Sequence, residues 1–141
     1  MAGCASYESQ TGSFRGAWNS GSIRHAAQIA SREAGKRSDS RDAVVWFLEQ
    51  GAALRADGQF AASNHAFGQA ESRIAFYDRQ AKLRLSKEAT GLLTNLAALP
   101  YEGRGYDRVM LNTYQALNYL QLGQAEAALV ELRQAHVEQD A

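Results

Sequence analysis

Apolar residues recur at helical spacing along most of the chain, and the pattern is clearest between residues 43 and 74. Spacings of four and three residues place three positions on one helix face, namely Phe47, Gly51 and Leu54. Gly58 follows and predicts a turn, because glycine is common directly after the end of a helix. A second helix then presents an inner face made of Phe60, Ser63, Phe67 and Ala70. The region is therefore predicted to form a pair of antiparallel helices.

The same pattern returns between residues 109 and 136. Gly123 stands 65 positions after Gly58, and Ala116 is the small residue of the first helix. The inner face of the second helix is filled in register by Ala125, Ala128, Leu132 and Ala135. A weaker third copy consists of Gly21, Ile23, Ala26 and Ala30. A repeated helix pair is typical of a solenoid, in which each pair buries its inner face against a neighbour.

Between the two clear copies, residues 78–99 are predicted to form one long helix. Apolar residues recur along it at spacings of four and three, at Leu85, Ala89, Leu92, Leu96 and Leu99. Pro100 ends this helix, and the loop 101–107 follows. It is the only proline in the 141 residues, which favours long helices throughout the chain.

The helix pairs, the small residues at points of close approach and the glycine turns resemble the tetratricopeptide repeat (TPR). The resemblance implies an all-α fold, a TPR-like α-solenoid of about six helices in antiparallel pairs. We expect a single helical domain over residues 20–141. Residues 1–19 are rich in serine and glycine, and we expect them to hold a signal remnant and a flexible tether.

The N-terminal residues Ala2, Gly3 and Cys4 resemble the end of a lipobox, the bacterial lipoprotein signal in which Leu-Ala-Gly precedes a lipidated cysteine. Met1 stands in place of the leucine, and we expect the sequence to begin inside the signal. The resemblance implies lipidation of Cys4. Ala5, rather than aspartate, follows the cysteine and implies sorting to the outer membrane. The alternative is an incidental free cysteine in the tail.

Three further segments resemble a family of uncharacterised bacterial envelope lipoproteins with TPR-like repeats. They are the PYEG loop at 100–103, the ALNYLxLG helix at 116–123 and the ALVE helix at 128–131. The resemblance implies a lipid-anchored protein of the bacterial cell envelope, located at the outer membrane and facing the periplasm. It also implies that related chains continue beyond the position of Ala141. No reaction is established for that family.

Charge and composition argue against several other classes of protein. Lys and Arg together number 15, as do Asp and Glu, whereas nucleic-acid-binding proteins usually carry a basic excess. His25, His65 and His136 are far apart and no HExxH or CxxC motif is present, so we expect no metal site and no cofactor. No residue marks a catalytic nucleophile, and we expect no enzymatic activity.

The loop 101–107 holds the candidate partner-binding residues, which are Tyr101, Glu102, Arg104, Tyr106 and Asp107. Two aromatic and three charged side chains exceed what a turn needs, and Tyr and Arg are enriched in binding hot spots. The alternative is structural: Tyr101 packs beneath the loop, and Glu102 or Asp107 caps the following helix.

These features predict a non-enzymatic protein-binding scaffold or adaptor of the cell envelope. We expect it to bind one or more proteins in the groove of the solenoid, and the membrane through its N-terminal lipid anchor. Two alternatives stay open. One is a regulatory lipoprotein that activates a cell-wall synthase. The other is a structural subunit of an oligomeric envelope complex, which includes a homo-oligomer.

Lipidation is tested by expression of the full-length protein in a Gram-negative host with labelled palmitate. The protein should incorporate the label, and Cys4→Ser should abolish incorporation, because the thiol is the acylated group. A variant that is still labelled would reject Cys4 as the anchor. Acyl chains are the source of membrane affinity here, at about 0.8 kcal/mol for each buried methylene, so the unlabelled variant should also leave the membrane fraction.

Overall fold

The computed structural model describes residues 7–87 and 101–141, with side chains over 8–83 and 101–141. Six helices lie within these ranges: α1 (Tyr7–Asn19), α2 (Ile23–Lys36), α3 (Ala43–Ala56), α4 (Phe60–Lys87), α5 (Gly105–Gln121) and α6 (Ala125–Asp140). They pack in sequential antiparallel pairs, and each contacts its neighbours in chain order, with α3 also touching α5. The predicted all-α fold is confirmed, in an arrangement consistent with a TPR-like solenoid.

The three hairpins are closed by the same backbone turn, at Gly21, Gly58 and Gly123. Each glycine has a positive φ, between 73° and 79°. The N–H groups of the glycine and of the next residue donate to carbonyls three and five positions earlier, at 2.8–3.1 Å. This is the Schellman motif, whose left-handed position favours glycine because a Cβ atom is strained there. The predicted turns at Gly58 and Gly123 are confirmed.

Two apolar clusters form the core. The first joins α3 and α4 to the preceding and following helices, and its buried members include Val44, Trp46, Phe47, Phe67, Ile74, Tyr77 and Leu111. The second holds α1 and α2 against the far side of α3 and α4, and it consists of Phe14, Ala17, Ala26, Ala27, Ile29, Ala30, Ala53, Leu54 and Ala66. Alanine dominates this second cluster, so the helix backbones approach closely and few large side chains are buried between them.

Gly51 of α3 lies directly against the ring of Phe67 of α4. A Cβ atom at Gly51 would lie 2.5 Å from Cε1 of Phe67, so only glycine leaves room for the ring. The hydroxyl of Ser63, one turn away on α4, donates to the carbonyl of Gly51 at 2.7 Å. This hydrogen bond explains a serine at a position where TPR repeats usually have alanine.

The expected flexible tether is wrong for residues 7–19, which form α1. Thr11, Phe14 and Ala17 recur every three residues and are buried, at 0%, 6% and 8% exposure. Their packing against α2 outweighs the low helix propensity of the serine and glycine between them. The lipidation candidate Cys4 lies outside the described residues.

Two further expectations about the helices need correction. The predicted start of a new helix at Asp78 is wrong, because α4 runs unbroken from Phe60 to Lys87 and Tyr77 continues its buried face. The remainder of the predicted helix, residues 88–99, lies outside the described residues. Leu132 was predicted as core and is 46% exposed, whereas its equivalent Phe67 is 1% exposed. Phe67 is covered by Tyr114 of α5, and no helix that the structure describes lies beyond α6 to cover Leu132.

Gly51→Ala should destabilise the protein by about 1–2 kcal/mol net, because the added Cβ displaces the Phe67 ring and this cost exceeds the gain in helix propensity. Gly68→Ala is the matched control, since a Cβ there meets nothing within 4 Å. It should stabilise α4 by up to about 1 kcal/mol. Urea unfolding of both variants measures the difference, and equal stabilisation by the two would contradict the Gly51–Phe67 contact.

Candidate protein-binding surfaces

The loop before α5 is fixed to the body of the protein through its backbone. Tyr101 donates its N–H to the carbonyl of Arg41 at 3.1 Å. Gly103 has a φ of 77° and passes so close to α4 that a Cβ would lie 3.1 Å from Cδ1 of Ile74. The tyrosine ring packs against the first apolar cluster. The loop is therefore held in one conformation over α4.

Asp107 caps α5. Its carboxylate accepts the backbone N–H of Arg104 at 3.0 Å and also the hydroxyl of Tyr101. Burial, together with this hydrogen bond to Asp107, raises the pKa of Tyr101, so the phenol stays protonated and keeps donating. Asp107 also places a negative charge in the first turn of the helix, where the helix dipole favours it.

Arg108 ties the loop to α4. Its guanidinium donates to both carboxylate oxygens of Asp78 at 2.8 Å and to the carbonyl of Glu102 at 3.3 Å. The hydrogen bonds to Asp78 raise the pKa of Arg108 above its ordinary value. Bidentate pairs of this kind fix orientation as well as distance. Arg108 was not among the predicted site residues, and its role here is structural.

The five predicted loop residues therefore divide into two groups. Tyr101 and Asp107 hold the loop, as the structural alternative predicts, and Glu102 contributes its carbonyl. Arg104 and Tyr106 are exposed, with the guanidinium 6.0 Å from the ring centroid. Tyr106 is 60% exposed. These two side chains are the part of the loop that faces outward.

A wide groove runs along α4, on a side of that helix away from the loop. Its volume is about 910 Å³. It extends from the α2–α3 connection to the α5–α6 turn, and its lining includes Ser38, Asn64, His65, Gly68, Gln69, Ser72, Arg73, Phe76, Arg79, Tyr119 and Leu122. None of residues 101–107 lines it. The loop and this groove are therefore two separate surfaces.

The groove is basic and partly aromatic. Arg73, Arg79 and His65 line it, and its described lining includes no carboxylate. Arg73 is fixed in place, since it donates to the carbonyl of Ser38 and, at 3.0 Å, to the carboxylate of Asp39. Phe76 is 41% exposed. The residues of this face were not among the predicted site residues. Polar, small and aromatic residues recur every three or four positions on the outer side of α4, and this pattern could have indicated a binding face.

A buried polar junction joins α5 to α3 and α4. The Asn118 side chain is fully buried and donates to the Ser63 hydroxyl and to Oδ1 of Asn64, both at 2.8 Å. Its own Oδ1 accepts from Arg55 at 2.5 Å. The Arg55 guanidinium also lies 5.7 Å from the ring centroid of Tyr114. Both N–H groups and the carbonyl oxygen of the Asn118 amide therefore have a partner, as a buried amide requires.

The polar junction continues along α5 to Glu71. Asn112 donates to carboxylate oxygens of Glu71 at 2.9 Å and of Glu131 at 3.0 Å, and Gln115 donates to Glu71 at 3.5 Å. Burial is the main cause that raises the pKa of Glu71, and the nearby charge of Glu131 adds to it, against the opposing effect of the two amides. The Oε1 atom of Gln115 is buried, and no described donor reaches it.

No group of His, Cys, Asp and Glu within the described ranges has a geometry that could hold a metal ion. No helix in the same ranges combines the length and apolar character needed to cross a bilayer. Comparison with family models, with curated proteins and with solved structures gives no match.

Glu71→Gln should stabilise the protein at neutral pH by about 0.5–1 kcal/mol, a figure that allows for partial solvent screening. The pKa of Glu71 is raised in the folded state above the ordinary value of 4.5. Its contribution to the free energy of unfolding is therefore fully present at a pH below 4.5 and is lost as pH rises through the folded pKa. The uncharged amide avoids this loss and can donate to Oε1 of Gln115.

The measurement is the free energy of unfolding of both proteins at pH 4.5 and pH 7.5. The advantage of Glu71→Gln should be larger at the higher pH. Exposed Glu126→Gln on α6 is the control; it removes a carboxylate from the first turn, which the helix dipole favours, so it should not stabilise the protein at either pH. An advantage that does not depend on pH would mean that ionised Glu71 carries no penalty in the fold.

Proposed function

We propose that this protein is a non-enzymatic scaffold that binds another protein in the groove along α4. The supporting observation is the groove itself, which combines a volume of about 910 Å³ with exposed Phe76 and two arginines. An aromatic anchor beside arginine is the composition found in protein-binding hot spots. A stacked helical scaffold commonly uses such a concave face to hold a helix or an extended peptide.

The electrostatics of the groove favour an acidic partner segment. Arg73, Arg79 and His65 line it, and the carboxylate of Asp39 pairs with Arg73 at its edge. An amphipathic segment that places an apolar side chain on Phe76 and carboxylates beside Arg73 and Arg79 fits this arrangement. Arg73 is already oriented by Ser38 and Asp39, so less conformational entropy is lost when the segment binds.

The proposed location is the periplasmic face of the bacterial outer membrane, with Cys4 as the lipid anchor. Its support is the resemblance of the N-terminal residues to a lipobox and of three segments to envelope lipoproteins. We propose Arg104 and Tyr106 as a second, smaller contact surface for a partner. The alternatives are a regulator of a cell-wall synthase and a structural subunit of an oligomeric envelope complex.

Site-specific photo-crosslinking tests the groove. A photoreactive amino acid in place of Gln69, which is exposed in the groove, should form an adduct with a partner protein in living cells. Adding Arg79→Glu should weaken capture by about tenfold, corresponding to about 1.4 kcal/mol, because the reversed charge repels an acidic segment. Arg32→Glu makes the same charge change at an exposed position of α2 outside the groove and should leave capture unchanged.

The identity of the adduct separates the three functions. A cell-wall synthase as the single adduct favours the regulator, a set of different clients favours the scaffold, and the protein itself favours the structural subunit. Loss of capture in Arg32→Glu as large as in Arg79→Glu would show that general charge, and not the groove, governs binding. No adduct from the groove position would reject the groove as the binding site.

A further inference from the structure

The outer face of α5 carries an apolar stripe that faces solvent. Its members recur at spacings of four, three, four and three residues: Tyr106, Met110, Thr113, Leu117 and Leu120. The four large side chains are between 39% and 60% exposed. The Thr113 hydroxyl donates to the carbonyl of Val109 at 2.8 Å, which satisfies it within the helix. No exposed position of α5 is charged. Such a spacing is that of a coiled-coil seam, which packs against another helix.

The internal repeat shows what kind of element fits this face. The two clear copies of the repeat are offset by 65 positions. This offset aligns Leu120 with Arg55, Leu129 with Asn64, and Leu132 with Phe67. All three of these earlier residues contact α5, through Asn118 and Tyr114. The α5–α6 hairpin therefore presents a place for a helix equivalent to α5. It presents leucines at the positions of polar Arg55 and Asn64 and of aromatic Phe67, so an apolar helix face fits there.

We propose that this face binds the same face of a second copy of this chain, and that the protein forms a two-fold symmetric dimer through α5. The stripe is itself an apolar helix face of the required kind. An antiparallel α5–α5 contact centred on Thr113 sets Tyr106 against Leu120 of the partner subunit, and Met110 beside Leu117 of the partner subunit. One arrangement thus covers every large side chain of the stripe at once, as a self-complementary interface requires.

Charge and area agree with a second copy. The stripe is uncharged and the whole chain has a formal net charge of zero, so pairing brings few like charges together. Together with Leu129 and Leu132, the stripe exposes on the order of 500 Å² of apolar surface per copy, at the upper end of what monomers leave exposed. Where the contact also covers Leu129 and Leu132, two copies would bury on the order of 1,000 Å², which is the threshold for a specific interface.

The face is distinct from the groove along α4, so the dimer and the scaffold function can fail separately. The dimer assigns Tyr106 to contact with a second copy and leaves Arg104 at the rim of that contact. It therefore gives the outward-facing part of the loop a partner of defined chemistry, namely the apolar end of the partner's α5.

The oligomeric state of the 141-residue chain tests the dimer. Light scattering coupled to size exclusion should give the mass of a dimer at concentrations up to about 0.1 mM. Leu117→Glu should weaken association at least tenfold while its circular dichroism remains that of the parent. Val130→Glu is the matched control, because Val130 is 60% exposed on the opposite side of α6. It should leave the dimer intact.

Cross-linking tests the register. In a Cys4→Ser background, Thr113→Cys should form a disulfide-linked dimer under mild oxidation, because the two-fold axis passes beside this position. Val137→Cys, 60% exposed and away from the stripe, should not. A monomeric mass for the parent chain overturns the proposal and indicates that another helix covers the stripe. Dimers that persist in Leu117→Glu, or cross-link equally through Val137→Cys, overturn it as well.

Discussion

The hydrogen bonds of Asn118 join the C-terminal hairpin to the rest of the molecule. One fully buried amide engages Arg55 of α3 together with Ser63 and Asn64 of α4. Hydrogen bonds are directional, whereas apolar contacts tolerate sliding, so a buried amide sets the register of one helix on the next. A shift of one turn would leave these polar groups unpaired. The junction thereby fixes where α5 starts, how the 101–107 loop crosses α4 and which side of α5 faces solvent.

The sequence contains enough information for the repeat but not for the way the repeats meet. Gly58 and Gly123 were identifiable because left-handed turns leave few alternatives to glycine, and the all-α fold follows from helical spacing. Ser63 and its hydrogen-bond partner Asn118 are 55 residues apart in the sequence, and no local pattern connects them. Leu132 shows the same limit, since an inner-face position is buried only where a further helix covers it.

The candidate site shows which side chains local reasoning can assign. A carboxylate near the start of a helix is a recognisable capping residue. Asp107 was one of the two capping candidates, and it lies three residues after the N-cap of α5. That Tyr101 and Asp107 would share a hydrogen bond, while Arg104 and Tyr106 face outward, depends on the path of the loop over Ile74. The position of the groove along α4 could not be predicted as a whole, because its lining residues belong to elements that are distant in sequence, such as Ser38 and Leu122.

The uneven distribution of large buried side chains has a consequence for local unfolding. On α6 only Ala128 and Ala135 are buried, so this helix adds little apolar surface to the core. Its hairpin is connected to the body through hydrogen bonds and through Leu111 and Tyr114, whereas the first apolar cluster lies around α3 and α4. We therefore expect the C-terminal hairpin to open at a lower free energy than the central helices, whose amide hydrogens should exchange late. Because contacts run between neighbours in sequence, contact order is low, and the chain can refold rapidly from the central hairpin outward.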